Sequence, residues 1–315
     1  MALLADGWEV LGVDCFAPYY SRETKERNLE RVRDDPRFAL VELDLATDAL
    51  EGVMEGVDTV FHLAAQAGVL GSFGASFETY ARNNVLATQR LLEAAANASP
   101  VTFVYASSSS VYGNASIYPT SELSSRKPLS PYGLTKVATE ELAAVYLRCF
   151  GVPVIGLRYF TAYGPRQRPD MAFSRFFRYA LSGRPLPING EGRQVRDFTF
   201  VDDCIDGIVR GIEALAEGSV VNQTINLAYG QGNTLVHCAE LIAAELGTEP
   251  DMTMAPSLLG EVTHYVADLS KARALLGYDP KVPLEEGIGR AVAWFREHRL
   301  AHPEEDVPIT ADHEG

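Results

Sequence analysis

The chain has 315 residues and a formal net charge of −15, with 47% hydrophobic and 22% charged residues. This composition is typical of a soluble globular protein with a sizeable core, and the negative charge argues against a nucleic-acid partner. Because we see neither an apolar run of roughly 18 residues nor a signal-peptide pattern, we expect no membrane partner. Four scattered cysteines without a Cys-x-x-Cys pair favour the reducing cytoplasm over a zinc site or a disulfide framework.

Strand-like runs alternate with helical patterns over the first half of the chain. The apolar runs of strand length are WEVLGVD, FALVELDL, DTVFHLAA, VTFVYASS and VPVIGLRYF. Apolar residues at helical spacing occur in LEGVMEGV, ETYARNNVLATQRLLEAAANA and TKVATEELAAVYLRCFG. Alternation of this kind predicts an α/β fold with right-handed crossovers and a parallel sheet covered by helices.

The pattern changes after about residue 163, where Pro- and Gly-rich loops surround a helix containing FSRFFRYAL. Two more helices follow, in HCAELIAAEL and LEEGIGRAVAWFREHR. We therefore expect a first domain formed by residues 1–163 and about 196–230. A smaller lobe is expected at about 164–195 and 231–300, and a disordered polar tail at 301–315.

Candidate ligand-binding residues stand where the predicted strands end, because open α/β sheets bind ligands at the carboxyl ends of their strands. Asp14 could accept both hydroxyls of an adenosine ribose, although a solvated turn residue fits about as well. Asp44 could reach an adenine amino group. Ala64 and Ala65 would let a flat cofactor approach the backbone, although close packing alone also explains an alanine pair.

The fourth strand ends in the run YASSSSVYG, and each buried hydroxyl there needs a hydrogen-bond partner. A polar ligand would provide partners, as would an ordinary serine-rich turn. SPYGLTK then opens a helix with Tyr132 and Lys136 on one face, at i and i+4. This spacing is weak by itself, but its position directly after the serine-bearing strand lets a hydroxyl, a phenol and an ammonium group converge.

Several motifs in combination resemble the extended short-chain dehydrogenase/reductase family, which includes NAD-dependent nucleotide-sugar epimerases and dehydratases. They include VLGVD, HLAAQAGV, NNVLATQRLLEA, YASSSSVYG, SPYGLTK, LRYFTAYGPRQRPDMA, RDFTFVDD and ADLSKARALLGYDP. The resemblance runs from Ala2 to about Trp294. It implies a Rossmann-like doubly wound parallel sheet with a smaller α/β substrate-binding lobe, NAD as the cofactor, a UDP-sugar as the substrate and no metal site.

The resemblance also implies roles for individual residues. The catalytic residues would be Ser108, Tyr132 and Lys136. The cofactor-binding residues would be Asp14, Asp44, Leu45, Ala64, Ala65, Asn84, Tyr132, Lys136 and Tyr159. The substrate-binding residues would be Ser109, Ser110, Thr161, Arg168, Ala172, Ile188 and Arg196.

Physical chemistry supports these roles. A tyrosine has an ordinary pKa near ~10, and a nearby ammonium and a positive nicotinamide ring would lower the pKa of Tyr132 toward that of a useful base. The phenolate could then take a proton from a sugar hydroxyl while hydride passes to NAD⁺. Arg196 would clamp the diphosphate with two hydrogen bonds. The alternative for Arg196 is a surface ion pair with Asp197 or Asp202.

The residues after Ser108 point to the reaction. Family dehydratases have an acid pair there, and family decarboxylases acting on UDP-glucuronate have a glutamate two places on, whereas this chain has Ser109 and Ser110. Serine is neither an acid nor a base near pH 7, so C4 epimerisation through a 4-keto sugar is the favoured reaction. The alternatives are UDP-glucuronate decarboxylation, another sugar-nucleotide oxidoreduction, or a non-catalytic member of the family.

The sugar is expected to be of the UDP-glucose or UDP-glucuronate type. RPDMA resembles 4-epimerases acting on UDP-glucuronate, where Arg168 would meet the carboxylate, although it could instead contact nucleotide or solvent. Two positions depart from the family pattern, since Leu70 and the pair Leu258–Leu259 stand where arginines are usual. A lost arginine at a diphosphate site would cost about 1.5–3 kcal/mol unless another donor replaces it.

The opening MALLADGWEVLGVD predicts the end of a helix closed by Gly7 and a strand ending at Asp14. In the family, a strand and a Gly-x-x-Gly-x-x-Gly turn precede such a helix, and we find no such turn that follows a strand and opens a helix. We therefore expect that the chain begins inside this helix, that the sheet lacks a central strand and that NAD binding is weak.

A homodimer is expected through the helices near residues 78–98 and 132–149. The segment VATEELAAVYLRCF has apolar residues on more than one face, which is more than one sheet contact requires. The family resemblance implies the same interface. The alternative is that both faces are covered within one chain.

Overall fold

The computed structural model describes residues 1–98, 100–257, 260 and 262–301. Residues 302–315 of the expected tail lie outside the described residues, as do Leu258 and Leu259 of the late motif. The strands are β1 (Val10–Asp14), β2 (Phe38–Glu42), β3 (Thr59–His62), β4 (Thr102–Ser108), β5 (Val154–Tyr159), β6 (Thr161–Tyr163), β7 (Leu186–Asn189), β8 (Val195–Phe200), β9 (Gln223–Leu227), β10 (Gly232–Thr234) and β11 (Met252–Ala255). The helices are α1 (Ala2–Ala5), α2 (Arg22–Arg33), α3 (Phe77–Tyr80), α4 (Ala87–Asn97), α5 (Pro131–Phe150), α6 (Ala172–Leu181), α7 (Val201–Ala216), α8 (Leu235–Leu246), α9 (Ser270–Leu276) and α10 (Leu284–Ala301).

Four parallel strands form the central sheet in the order β3-β4-β5-β9. Ser108 at the end of β4 pairs with Tyr159 at the end of β5, so both strands finish at the same edge. β4 and β5 each contain five consecutive buried residues. Such continuous burial is expected of parallel strands covered on both faces, and it explains why these runs are apolar without alternation.

Helices cover both faces of this sheet. On one face, α4 and α5 pack against β4 around Leu92, Phe103 and Tyr146. On the other face, α7 and α9 enclose a second core that includes Leu157 and Ile212. The predicted doubly wound α/β fold is therefore confirmed.

β1 and β2 form a separate parallel pair. Within the described residues, neither strand joins the ladder of β3. The edge at which the parallel strands end, called the carboxyl edge below, is therefore built from two sheets. Leu11 and Leu40 in this pair remain 41% and 40% exposed. The predicted order of a helix, Gly7 and a strand is correct, because α1 ends at Ala5, Gly7 has a φ of 89° and β1 follows. A further strand before α1 stays a prediction.

A third core lies among elements of the second half of the chain. β6 and β10 flank β8, β7 pairs with β11, and α6, α8 and α10 pack over them. The core is strongly aromatic, with Phe173 stacked on Phe198 at 4.5 Å between ring centroids and Tyr163 edge-on to Phe173 at 4.9 Å. These elements all come from the second half of the chain.

Two helical predictions differ from the structure. LEGVMEGV forms a single 3-10 turn, Glu51–Val53, because its two glycines disfavour a helix by about 1 kcal/mol each and Gly56 adopts a φ of 72°. ETYARNNVLATQRLLEAAANA is helical, but Ala81–Leu86 within it is a π-helix. Wide turns of this kind are frequent at functional sites. In the described part of the chain, no helix combines the length and apolarity needed to cross a membrane.

Candidate active site

Ser108, Tyr132 and Lys136 come together at the carboxyl end of β4. Ser108 is the last residue of β4, and its hydroxyl lies close enough to the Tyr132 phenol to lower the pKa of Tyr132. The Lys136 ammonium lies 6.0 Å from the centroid of the Tyr132 ring. The predicted meeting of a hydroxyl, a phenol and an ammonium group is therefore present.

Local sequence signals fix the start of α5, which carries two of these groups. The Ser130 hydroxyl caps the helix by accepting a 3.1 Å hydrogen bond from the Gly133 amide, and Pro131 occupies the first turn. One turn further on, Lys136 donates a 2.9 Å hydrogen bond to the Ala106 carbonyl of β4. The helix start and this bond hold the phenol and the ammonium group against the strand that ends in serine.

Burial dominates the electrostatics of the site. Burial raises the pKa of Tyr132, while the nearby Ser108 hydroxyl and the charge of Arg168 lower it. Burial lowers the pKa of Lys136 to about 8, and the Glu140 carboxylate opposes that shift. Burial and the charge of Lys136 also lower the pKa of His62 to about 3, so this imidazole stays neutral at physiological pH.

A buried ion pair lies behind the three groups. Arg158 of β5 donates two hydrogen bonds to Glu140 of α5, at 2.8 and 2.7 Å. Ser107 donates a third to the same carboxylate at 2.6 Å. Because Glu140 is one turn after Lys136 and Ser107 precedes Ser108, this pair fixes how the helix lies on the strand.

Asn84 lies in the π-helix and is 1% exposed. Its side chain accepts a 2.7 Å hydrogen bond from the Gln66 amide and donates to the Gln66 carbonyl at 3.0 Å and to Thr135 of α5 at 2.9 Å. It therefore joins the loop after β3 to the catalytic helix. Ala64 and Ala65 begin that loop and line the same edge of the sheet.

The acids after β1 and β2 differ in what they already bind. Asp14 is exposed and accepts hydrogen bonds from the Phe16 amide at 2.6 Å and from Lys25 at 3.5 Å. Asp44 is paired with Arg82 and accepts from the Ala46 amide at 2.8 Å. The carbonyl of the adjacent Leu45 accepts from Arg90 at 2.8 Å. Asp14 is thus open to a ribose, whereas a new partner of Asp44 would share it with Arg82.

The residues at this edge fit a nicotinamide dinucleotide. The hydroxyl of Tyr159, at the end of β5, is buried and has no hydrogen-bond partner among the described residues. A buried hydroxyl without a hydrogen-bond partner requires explanation, and a polar ligand at the strand ends would provide the missing partner. Lys136 would hold the nicotinamide ribose, Asp14 the adenosine ribose, and the two alanines would allow close approach to the backbone.

The spacing Gly-x-x-Gly-x-x-Gly does occur once, at Gly68, Gly71 and Gly74, in the loop after β3. A Cβ at Gly68 or Gly71 would lie 3.2 Å from the Tyr80 hydroxyl, so these glycines make room for that phenol. 3-10 turns at Leu70–Ser72 and Gly74–Ser76 interrupt the segment. The spacing therefore serves local packing here, and Leu70, at a family arginine position, is 47% exposed.

Arg168 faces the catalytic tyrosine from the loop after β6. Its guanidinium donates two 3.0 Å hydrogen bonds to Asp170 and lies 5.5 Å from the centroid of the Tyr19 ring. Tyr19 in turn donates to Asp170 at 3.2 Å, which joins the loop after β1 to the loop after β6. The mutual effect of Arg168 and Tyr132 on their pKa values places this charge within electrostatic reach of the phenol.

Arg196 of β8 lies over the ring of Tyr265, with 5.4 Å between its guanidinium carbon and the ring centroid. The acids proposed as its alternative partners are engaged elsewhere. Asp197 accepts hydrogen bonds from the amides of Tyr229, Gly230 and Ala267, and Asp202 pairs with Arg290.

The remaining predicted substrate residues differ in how far their side chains are exposed to a ligand. The Ser110 side chain lies close enough to the Tyr265 phenol to lower the pKa of Tyr265, whereas Ser109 is only 6% exposed. Thr161 begins β6, and Ala172 begins α6 with its side chain exposed. Ile188 is 0% exposed within the third core, so its side chain lies away from any ligand and its backbone alone is available.

Sequence reasoning missed three residues of the site. Glu140 stands in TKVATE at i+4 from Lys136, and Arg158 is the single charge in VPVIGLRYF. Both carried a signal, because a charge inside a buried element needs a partner. Tyr265 had no local signal, since it reaches Ser110 from a segment 155 positions later in the chain.

Comparisons with known proteins agree with this geometry. The model of the NAD dependent epimerase/dehydratase family matches residues 1–228. The uncharacterized UDP-glucose epimerase YtcB of Bacillus subtilis is 41% identical over 286 residues, which cover 91% of this chain and 89% of YtcB. The UDP-glucuronate 4-epimerase of Thermodesulfobacterium geofontis is 33% identical over 94% of this chain and 91% of its own.

Among solved structures, the UDP-glucuronic acid 4-epimerase of Bacillus cereus, crystallised with UDP-glucuronic acid and NAD, superposes with a TM-score of 0.90. It is 36% identical, and the match covers 94% of each chain. The Rossmann-like sheet and the second lobe are thus those of a known epimerase. The chain belongs to the NAD dependent epimerase/dehydratase family and is an NAD-dependent enzyme.

Proposed function

We propose that the enzyme inverts C4 of a UDP-sugar by oxidising it to a 4-keto sugar and reducing it on the opposite face. The observation that carries this proposal is the meeting of Ser108, Tyr132 and Lys136 at the end of β4. The names of the relatives support the substrate class, since they include UDP-glucose and UDP-glucuronate epimerases.

Tyr132 acts as the base and then as the acid. Its phenolate removes the proton of the C4 hydroxyl, and the same proton returns to the oxygen after the 4-keto sugar has turned over. When bound, NAD would supply the acceptor for the C4 hydride and the donor for its return. Ser108 donates a hydrogen bond to the C4 oxygen, while Lys136 stabilises the phenolate with its positive charge.

The turn after Ser108 disfavours the competing reactions. Ser109–Val111 is a 3-10 turn without an ionisable side chain. Dehydration and decarboxylation by the family's usual groups would need a carboxyl at Ser109 or Ser110. With serine there, proton transfer rests on Tyr132, and epimerisation needs nothing more.

Different residues would bind the cofactor and the nucleotide sugar. Asp14, Leu45, Asn84 and Tyr159 hold the dinucleotide on the sheet side, with Asp44, Ala64 and Ala65. Arg168 and Arg196 hold the sugar and the diphosphate from the other side, with Thr161, Ala172 and Ile188. Arg168, Ala172 and Ile188 belong to the expected smaller lobe, residues 164–195 and 231–300. Thr161 and Arg196 lie at the borders of the first expected domain, residues 1–163 and about 196–230. We place this enzyme in the cytoplasm.

A second copy of the chain covers the outer face of α3, the π-helix and α5. Leu86 and Leu134 on this face are 46% and 53% exposed, and Phe77, Leu129 and Leu134 line an open apolar groove of about 590 Å³. Leu134 is two positions from both Tyr132 and Lys136 in α5, so it lies on a different side of the helix from them. Leu134→Glu should convert a dimer into a monomer in light scattering, whereas a monomeric wild-type protein at micromolar concentration would contradict the dimer.

A product assay tests the proposed reaction. The protein is incubated with NAD and each of UDP-glucose, UDP-galactose, UDP-glucuronate and UDP-galacturonate, and the products are separated by chromatography. The proposal predicts interconversion within one C4 pair, without release of CO₂. A pentose or deoxysugar product, or no conversion of any of the four sugars, would refute it.

A further inference from the structure

Arg158 of β5 binds two different parts of the candidate active site. Its Nε and Nη2 atoms donate to Glu140, which lies one turn after Lys136 in α5. Its Nη1 atom donates a 2.8 Å hydrogen bond to the phenol of Tyr112, which is 1% exposed and directly follows the turn Ser109–Val111. One guanidinium group therefore joins the catalytic helix to the turn after β4.

The side chain of Tyr112 is fixed from two further directions. Its phenol donates a 2.7 Å hydrogen bond to the Oδ1 atom of Asn226 in β9, and its ring centroid lies 4.9 Å from the guanidinium carbon of Arg158. Asn226 is held in turn, because its side-chain amide donates to the Thr120 carbonyl at 2.9 Å. A buried polar network whose members are hydrogen-bonded in this way is rigid, so the position of the Tyr112 phenol is set by the fold.

The backbone connects this fixed phenol to Ser108. The amide of Tyr112 donates a 3.1 Å hydrogen bond to the Ser109 carbonyl, which closes the turn. Within the turn, the Ser110 amide donates a 3.1 Å hydrogen bond to the hydroxyl oxygen of Ser108. The direction of the Ser108 hydroxyl therefore depends on where the turn lies.

The same turn contacts the start of the helix that carries Tyr132. A Cβ atom at Gly133 would lie 2.7 Å from the carbonyl oxygen of Ser110, which is too close for any residue with a side chain. The turn and the first turn of α5 thus meet backbone to backbone beside Tyr132. A shift of the turn would change the separation of the Ser108 hydroxyl and the Tyr132 phenol.

We propose that Tyr112 is a positioning residue, whose hydrogen bond with Arg158 holds the turn after β4 so that the Ser108 hydroxyl stays aligned with Tyr132. This inference rests on the proposed function for the roles of Ser108 and Tyr132. It goes further by giving a buried phenol behind the site a part in the reaction. Misplacing a catalytic group by about 1 Å can lower a rate about 10²-fold, so a single hydrogen bond of this kind can matter.

The test separates positioning from stability. Tyr112→Phe removes the hydroxyl but keeps the ring beneath Arg158. Tyr278→Phe is the matched control, because Tyr278 is 0% exposed in the same core and its phenol donates a 3.0 Å hydrogen bond to the Ala228 carbonyl. Each substitution is made in the wild type and together with Ser108→Ala. The turnover number kcat, the KM and the unfolding midpoint in denaturant are measured with a UDP-sugar that the wild type converts.

We expect Tyr112→Phe to lower kcat about tenfold or more and to change KM less than about twofold. When Ser108→Ala is present, the same substitution should lower kcat less than about twofold, because no hydroxyl is left to position. Tyr278→Phe should lower the unfolding midpoint and leave kcat unchanged in both backgrounds. An unchanged kcat in Tyr112→Phe, an equal loss in both backgrounds, or the same loss in Tyr278→Phe would overturn the proposal.

A measurement without turnover keeps this proposal distinct from the proposed function. The nearby Ser108 hydroxyl lowers the pKa of Tyr132, so displacing that hydroxyl should raise this pKa. Tyr132 is titrated by NMR of isotope-labelled tyrosine, with Tyr132→Phe used to assign its signal. A raised pKa in both Tyr112→Phe and Ser108→Ala supports the positioning role even if no sugar is converted, whereas a raised pKa in Ser108→Ala alone would contradict it.

Discussion

Two arginine–glutamate pairs of similar geometry lie in different regions of the molecule, one at the central sheet and one at the β1–β2 pair. In the central sheet, Arg158 and Glu140 form two hydrogen bonds of 2.8 and 2.7 Å, with side chains 4% and 3% exposed. In the β1–β2 pair, Arg22 and Glu42 form two of 2.9 and 2.6 Å, with side chains 50% and 51% exposed.

The two pairs differ in how far they are exposed to water, and the two regions that contain them differ in the same way. The sheet that carries the proposed catalytic groups is covered on both faces, so its charges are desolvated and must stay paired. The β1–β2 pair, which would hold the adenosine end of NAD, is exposed to water, which weakens the same interaction. The proposed chemistry thus lies in the buried region, and the proposed cofactor recognition lies partly in the exposed one.

The largest effect is expected on turnover, from a substitution of Tyr132 in the buried region. Tyr132→Phe should lower the turnover number by about 10²–10⁴, because it removes the group that exchanges the proton with the sugar. Affinity for the UDP-sugar should change little, and calorimetry with a non-converted sugar measures it. Turnover near that of the wild type would remove Tyr132 from the mechanism.

Breaking the buried pair should be far more damaging than breaking its exposed counterpart. Glu140→Gln leaves Arg158 charged and uncompensated, so the free energy of unfolding should fall by about 3–5 kcal/mol. Glu42→Gln is the matched control, and its unfolding midpoint in denaturant should equal that of the wild type. Equal effects of the two substitutions would contradict the contrast between the regions.

Burial of Lys136 should appear in the pH dependence. Because the pKa of Lys136 falls from 10.5 to about 8 on folding, the unfolded chain binds more protons at this site between those values. This group therefore makes the fold more stable as pH rises through that window.

Turnover should fall as pH rises through about 8, since the ammonium that supports the Tyr132 phenolate is lost. In Lys136→Arg, which stays charged, that decline should be absent; a decline at the same pH would assign it to another group.

The smallest effect is expected for NAD binding at the exposed β1–β2 pair. The 315-residue chain should bind NAD weakly, because β1 and β3 share no ladder within the described residues and Gly68 and Gly71 of the glycine triplet pack on Tyr80. Asp14→Asn should weaken NAD binding by a further factor of about ten, through loss of a charged acceptor for the ribose. Tight calorimetric binding of NAD by this chain would contradict the expectation.

The sequence predicts local features well and distant contacts poorly. The five strand runs and α5 were foreseeable because buried parallel strands and a capped helix leave local patterns. The meeting of Ser108, Tyr132 and Lys136 was foreseeable because strand ends share one edge. The pairing of Arg158 with Glu140 and the approach of Tyr265 to Ser110 were not, since each depends on how separate elements pack. The occupation of Asp44 by Arg82 is a further contact of this kind.

The measurement that tests the central claim most directly follows an isotope at the reacting carbon. A UDP-sugar that the enzyme converts is labelled with deuterium at C4 and incubated with the protein and NAD, and both epimers are analysed by NMR and mass spectrometry. The account predicts that the product epimer keeps deuterium at C4, because hydride leaves and returns within one site while Tyr132 exchanges only the hydroxyl proton. Loss of the deuterium to water, or its appearance at another carbon of the sugar, would contradict the account.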